Sequence, residues 1–230
     1  MSPENGSEHS EKLAAGGQKR RPGRPAGTRK SADKRDLLLD TALNLFSTFG
    51  IAQTPLSAIA AEAGVTPAML HYYFKTREQL LDVLIDERYM PVRKSMGGAF
   101  GEYPDDPVCA LTALTQKFID VSMLHRWFAP LWIREVLSET GLLKQRIDAR
   151  FGSQERDSAQ MWIRKWQEEG RLNPELEPEL LFISLFGLTL LPVARLQQDI
   201  RNGETRLNTE RLSRHIAALL KSGVGHTPGV

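Results

Sequence analysis

The chain reads as all-α: a small N-terminal three-helix unit followed by a larger helical bundle, about nine helices in all. Three observations predict this. Apolar residues recur at i, i+3, i+4 spacing through most of the chain, and β-branched alternation is absent throughout. Gly, Pro and Asn fall at short junctions such as Asn173-Pro174, Glu177-Pro178 and Asn202-Gly203, as a compact bundle requires.

Residues 1–30 are rich in Gly, Ser, Pro and charge, lack an apolar period, and are expected to be a disordered arm. From Ser31 the pattern changes. Leu38, Ala42, Leu45, Phe46 and Phe49 form a helical stripe that Gly50 ends as a C-terminal cap would. Two short helices then begin alike, at Thr54-Pro55 and Thr66-Pro67. Threonine at an N-cap accepts a bond from a free helical N–H, and proline at the first helical position lacks an N–H that would be unpaired anyway. Gly64 stands where a left-handed turn is needed between them, and Ile59, Ala60, Ala63, Val65, Leu70 and Phe74 supply a shared core. A longer helix starts at Thr76, where Thr76-Arg77-Glu78-Gln79 is a capping box with Gln79 placed to reach back to the cap's N–H. Leu80, Leu81, Leu84 and Ile85 are its buried stripe, and Gly97-Gly98 and the 104–107 stretch end it. Five further helices are expected near 107–124, 127–138, 140–168, 177–200 and 208–221. The domain division is then 1–30 arm, 31–76 helix-turn-helix unit, 77–222 helical domain and 223–230 flexible tail.

Composition narrows the function. At 230 residues with a quarter of them charged, the chain can build one large or two small soluble domains. The net charge of +2 hides a cluster: Lys19, Arg20, Arg21, Arg24, Arg29, Lys30, Lys34 and Arg35 stand against Asp33 alone. Such an arm suits a polyanion, or simply keeps a tail solvated. One cysteine, Cys109, permits no intrachain disulfide and fits a reducing cytoplasm. No Cys/His spacing suits a metal, no Gly-rich loop follows a strand, and no Ser/His/Asp placement or carboxylate pair suggests catalysis. No enzyme, cofactor or metal is therefore expected. The N-terminus lacks the apolar run of a signal peptide, and the longest apolar run, Leu180–Val193, is too short to span a bilayer, so no membrane association is expected.

In a helix-turn-helix the second helix enters the major groove and the first crosses the backbone. Here the second helix is 67–74, with Leu70 and Phe74 facing inward. Ala68, Met69, Tyr72 and Tyr73 lie away from that face or flank it, although Tyr72 and Tyr73 would also serve as core aromatics in a generic bundle. None is a bidentate base reader, so specificity is expected to rest on apolar contact with thymine methyls, on Ser57 and on DNA shape.

The segment from Thr54 to Leu80, TPLSAIAAEAGVTPAMLHYYFKTREQL, together with the helix Leu37–Gly50, resembles the signature of the tetracycline-repressor (TetR/AcrR) family over about 31–85. The resemblance implies an all-helical homodimer. Its N-terminal domain would bind palindromic double-stranded DNA and its C-terminal domain a small inducer, in the bacterial cytoplasm at the nucleoid. Carried over by position, it implies DNA contact by Thr54, Ser57, Thr66, Pro67, Ala68, Met69, His71, Tyr72, Tyr73, Lys75 and Arg77. Two positions depart from the pattern. His71 stands where the family usually has Tyr and shortens the reach to the backbone; Arg77 stands where Lys is frequent and keeps the positive charge.

Beside this unit the arm gains meaning. The run from Arg21 to Pro25, RPGRP, resembles an AT-hook core, so Arg21 and Arg24 are expected in a narrow A·T-rich minor groove. In the C-terminal half, Phe118, Met123, Trp127, Phe128, Trp132, Trp162 and Trp166 gather aromatic and sulfur side chains. With His125, Arg126, Arg134 and Glu135 as polar fixtures, they would line a pocket for a small apolar or amphipathic inducer, or else form an ordinary core. The helix at 177–200 is apolar on nearly every side, so one face is expected to pack on a second subunit. Phe182, Phe186 and Leu190, with Leu212, Ile216 and Leu219 of the last helix, are the expected dimer contacts. Two functions remain open: a repressor released from a palindromic operator by an inducer, and a nucleoid-associated or partner-controlled DNA-binding factor without one.

Overall fold

The structure is a computed structural model that describes residues 26–136, 141–152, 154–203 and 207–224, with side chains from Ser31 onward except at 154–156. Among the described residues it is helical with no strand. Arg21 and Arg24 lie outside them.

Helix α1 (Ala26–Phe49) begins five residues before the expected start at Ser31. Between Ala26 and Phe49 the sequence contains no proline to stop the helix, whereas Pro25 fits only a first turn. Leu38, Leu39, Ala42, Leu43 and Phe46 are its buried face. Phe49, counted with that stripe, is 57% exposed, because it sits in the last turn and Ile51 takes the buried place instead. Gly50 closes the helix at φ +87, a conformation that disfavours a side chain. Helices α2 (Leu56–Glu62) and α3 (Pro67–Tyr73) follow.

The linker to the second half is a continuous helical rod: α4 (Arg77–Leu84), a π-helical turn at Ile85–Tyr89, and α5 (Met90–Ser95). Thr76 caps it by accepting the Gln79 N–H at 3.1 Å. Gln79 Oε1 reaches back as expected, but to the N–H of Lys75 (2.8 Å) rather than to that of the cap. A short α6 (Ala99–Glu102) leads into α7 (Pro107–Leu124), whose Asp106 cap accepts the Cys109 N–H at 2.9 Å. That bond holds the Asp106 carboxyl below its ordinary range.

Helix α8 (Phe128–Glu135) lies within the expected 127–138. The single helix expected at 140–168 is two, α9 (Leu142–Phe151) and α10 (Gln154–Glu168), broken at Gly152 with φ +64. Helical spacing continues across the break, so periodicity alone does not reveal it. Helices α11 (Pro178–Arg201) and α12 (Thr209–Gly223) complete the bundle, the latter capped by Asn208 accepting the Arg211 N–H. α7 packs against α6, α8, α11 and α12, while α1 packs against α2, α4 and α8. One apolar cluster runs through both halves, from Leu38 to Val224.

α11 is long and apolar enough to cross a bilayer by length and composition. Its buried side, Leu181, Leu185, Thr189, Val193 and Leu196, faces protein, and it packs on α7 and α8.

Candidate nucleic-acid interface

The turn between α2 and α3 is built by Gly64 at φ +64 and by the Val65 N–H donating to the Ala60 carbonyl at 2.9 Å. Thr66 then caps α3, its hydroxyl accepting the Met69 N–H at 3.2 Å, with Pro67 in the first turn. Leu70 and Phe74 are each 1% exposed and anchor the helix inward, as their spacing predicts. The opposite face carries Thr66, Pro67, Ala68, His71, Tyr72 and Lys75, all exposed, and Ser57 on α2 is exposed as well.

The two tyrosines part company. Tyr72 is 79% exposed, so a core role is excluded for it. Tyr73 is half-buried, shares a 2.9 Å hydrogen bond between its hydroxyl and that of Ser31 on α1, and meets Tyr72 edge to face at 5.3 Å. Tyr73 thus ties α3 to the start of α1 and braces the exposed ring beside it. No spacing rule links Ser31 to Tyr73, which are 42 residues apart. The resulting surface offers methyl, aromatic, hydroxyl and cationic groups together, a set suited to thymine methyls and phosphate oxygens.

Two expected contacts are corrected. Thr54 is 3% exposed and its hydroxyl donates to the Gly50 carbonyl at 2.7 Å, while Pro55 takes the N-cap position of α2. The hydroxyl is committed to closing the α1–α2 turn, so it neither caps α2 nor reaches a phosphate. Arg77 is half-buried, and its guanidinium donates at 3.4 Å to the carbonyls of Ile51 and Ala52 on that same turn. Its charge is directed at protein backbone. Arg35, counted with the basic arm, is also occupied. It makes a bidentate pair with Glu87 (2.6 and 2.7 Å) and lies 5.7 Å from the centre of the Phe74 ring.

Ion pairs hold the rod on two sides. Towards α1, the Arg35 hydrogen bond holds the Glu87 carboxyl below its ordinary range, and Arg88 reaches Asp36 and Asp40 at 2.9 Å. Burial works against the charge on Arg88, but Asp40 and Asp36 outweigh it and its pKa is raised. Towards α9, Arg146 holds Asp82 through two bonds and lowers its pKa, while Arg150 reaches Asp86 at 2.6 Å.

The expected pocket residues do not share one wall. Phe118, Trp132 and Phe186 form one stack, with Phe186 4.8 Å from Phe118 and 4.2 Å from Trp132. Phe128 stacks on Tyr89 and meets Trp127, which lies beside His125, while Met123 is half-buried against the core. Trp162 and Trp166 belong elsewhere: Trp166 is fully buried, packs edge to face on Phe100, and donates its indole N–H to the Pro104 carbonyl at 2.7 Å. It is a satisfied core residue. Glu135 is buried too, but its carboxylate accepts the Ile51 N–H of the α1–α2 turn at 2.9 Å, so it faces the DNA-reading half instead of a pocket.

The expected dimer contacts also shift. Leu190 and Ile216 are each 1% exposed within the single chain, and Phe186 belongs to the aromatic stack, since α11 packs by that side on α7 and α8. Phe182 and Leu212 are half-buried, and Leu219 is 44% exposed. The large apolar side chains that α11 leaves uncovered are Leu180, Ile183 and Leu191 along one side, and Ile200 in its last turn.

Several known proteins are similar to this chain. The family described as bacterial regulatory proteins, tetR family, matches residues 38–84, the second half of α1 through α4. The HTH-type transcriptional regulator RutR of Escherichia coli O157:H7 is 28% identical over 166 residues, covering 70% of this chain and 74% of its own. The HTH-type transcriptional repressor KstR2 of Mycolicibacterium smegmatis is 23% identical over 208 residues, covering 86% and 94%. The solved structure of the ketosteroid transcriptional regulator KstR2 of Mycobacterium tuberculosis superposes with a TM-score of 0.58 at 20% identity, covering 84% of this chain and 96% of that one.

Proposed function

Since the chain belongs to the tetR family and is a DNA-binding transcription regulator rather than an enzyme, we propose that it is a homodimeric repressor released from a palindromic operator by a small apolar or amphipathic inducer. The observation that carries this reading is the outward face of α3, where Tyr72 stands 79% exposed between His71 and the braced Tyr73. A tyrosine presented to solvent among hydroxyl and cationic groups offers a partner an apolar ring and a polar tip together. Ser57, Thr66, Pro67, Ala68, Met69, His71, Tyr73 and Lys75 surround it with the groups that groove and phosphate contact need. Arg21 and Arg24 add a minor-groove contact from the arm.

The uncovered face of α11, with Leu180, Ile183 and Leu191, joins Leu219 of α12 against the same face of a second copy. Two-fold symmetry then sets the half-sites roughly 34–36 Å apart, one turn of DNA. The inducer enters at the Phe118–Trp132–Phe186 stack between α7, α8 and α11, and shifts the rod that carries the DNA-reading half. Release requires that the inducer bind the two arrangements with different affinity.

The test is selection of bound sites from random DNA with the full chain. Recovery of a palindrome supports the reading, and failure to retain any DNA refutes it. The close mutual packing of that aromatic stack favours a second reading, a DNA-binding factor with no inducer. Genome-wide occupancy separates the two: a few palindromes for the repressor, many scattered sites for the alternative.

A further inference from the structure

The α1–α2 turn, residues 50–54, presents the DNA-reading pair of helices, and its polar groups are taken up from three directions. The Gly50 carbonyl accepts from the Thr54 hydroxyl, and the Ile51 and Ala52 carbonyls face Arg77 at the start of the rod. The Ile51 N–H, fully buried, donates to Glu135 at the end of α8, 84 residues away. The approach is close. A side chain at Gly50 would meet Arg134 Cδ at 3.3 Å and Glu135 Oε1 at 3.5 Å. On its other side the end of α8 is fixed by Gly141, which crosses the Glu135 carbonyl so tightly that a Cβ there would overlap it.

α8 has only eight residues, about 12 Å of helix. Its other side chains belong to the regulatory half, with Trp132 stacked on Phe186 and Phe128 on Tyr89. Trp132 and Glu135 are three residues apart, on neighbouring positions of one face. A short helix with aromatics at its start (Phe128) and one turn before its end (Trp132), and a buried carboxylate at its end, cannot move at the aromatics without moving the carboxylate. A carboxylate taken out of water also tolerates the loss of its N–H partner poorly.

We propose that Glu135 is a positioning residue for DNA binding: by holding the Ile51 amide it couples the placement of α8 directly to the α1–α2 turn, beside the path along the rod. The inference rests on the DNA-binding reading above, but its first measurement needs no DNA. In the full chain, Glu135→Ala should speed hydrogen exchange at the Ile51 amide at least tenfold and weaken binding to a selected site by about tenfold, the size expected for one charged hydrogen bond. Glu135→Gln, whose amide oxygen can accept the same bond without the charge, should lose clearly less than Glu135→Ala on both measures. Should Glu135→Ala not fold, Trp132→Leu serves in its place, and loosening the packing of α8 one turn before Glu135 should still speed Ile51 exchange. Unchanged Ile51 exchange in a folded Glu135→Ala or Trp132→Leu protein overturns the proposal, as does a Glu135→Gln loss equal to that of Glu135→Ala. A natural chain that binds no selected DNA refutes the DNA-binding reading, while the exchange comparison still decides whether α8 and the turn are coupled.

Discussion

Helices α3 and α11 both leave large apolar side chains in water, and they do so in different ways. On α3 the exposed group is one tyrosine, Tyr72, set among Thr66, His71 and Lys75 and braced by Tyr73. On α11 it is a row of aliphatic side chains, Leu180, Ile183 and Leu191, which are 50–60% exposed and spaced along one side of a 24-residue helix. A single amphipathic ring in a polar frame matches a surface that mixes methyl groups with charge, as DNA does. An aliphatic row offers nothing to hydrogen-bond, so it matches only another apolar surface. Under the proposed function, this contrast matches α3 to nucleic acid and α11 to a second copy of the chain.

The comparison breaks most readily on α11. Ile183→Asp combined with Leu191→Asp should convert a dimer to monomers in light scattering and weaken operator binding by a factor of 10² or more, roughly the avidity lost when two half-sites are no longer engaged together. An unchanged mass would move the interface elsewhere. On α3, Tyr72→Ala should lower operator affinity by about tenfold, roughly the worth of a well-placed base or backbone contact. It should leave the melting temperature nearly unchanged, because the ring is exposed; a large thermal loss would make Tyr72 structural after all. Thr66→Ala removes the cap on α3 and should cost about 1 kcal/mol in thermal or denaturant unfolding. Thr54→Ala should weaken stability as well, through the α1–α2 turn, and leave the salt dependence of DNA binding as it is. Lys75→Gln, by contrast, should reduce that salt slope by about one.

The smallest effect concerns the rod between the two regions. Hydrogen bonds from Arg146 to Asp82 and from Arg35 to Glu87 lower both carboxyl pKa values in the folded chain. Stability from a lowered carboxyl is fully present above its unfolded pKa and is lost as pH falls through the folded one, so the window lies below about pH 4. Both pairs are partly exposed, which limits each to under about 1 kcal/mol. Asp82→Asn with Glu87→Gln should therefore lower the melting temperature slightly at pH 7, and the gap should close on acidification. A gap that persisted at low pH would point to packing rather than charge.

The features legible from sequence were those made by neighbours in the chain. Thr66 with Met69, Thr76 with Gln79, Gly50 at the end of α1 and Gly64 in the turn all act within about one helical turn, and each is where local rules put it. Leu70 and Phe74 likewise face inward because periodicity alone orients them. The same rules misplaced Thr54, whose Thr-Pro pair imitates that of Thr66 although its hydroxyl turns back to Gly50. They also merged the aromatic residues of the second half into one cluster. Spacing along a helix says which side chains share a face, but not which helix that face meets.

The sequence by itself determined a helical chain with a capped, inward-anchored α3, because capping and amphipathic spacing are short-range and act in any surrounding. Tertiary structure alone decided that Glu135 serves Ile51 instead of a pocket, that Arg35 serves Glu87 instead of the basic arm, that Trp166 is satisfied by Pro104, and that Leu190 and Ile216 belong to the protomer's own core. Glu135 and Ile51, Arg35 and Glu87, and Trp166 and Pro104 are each joined across 50 residues or more. Each depends on how whole helices dock, and docking is set by the summed fit of faces rather than by any one spacing.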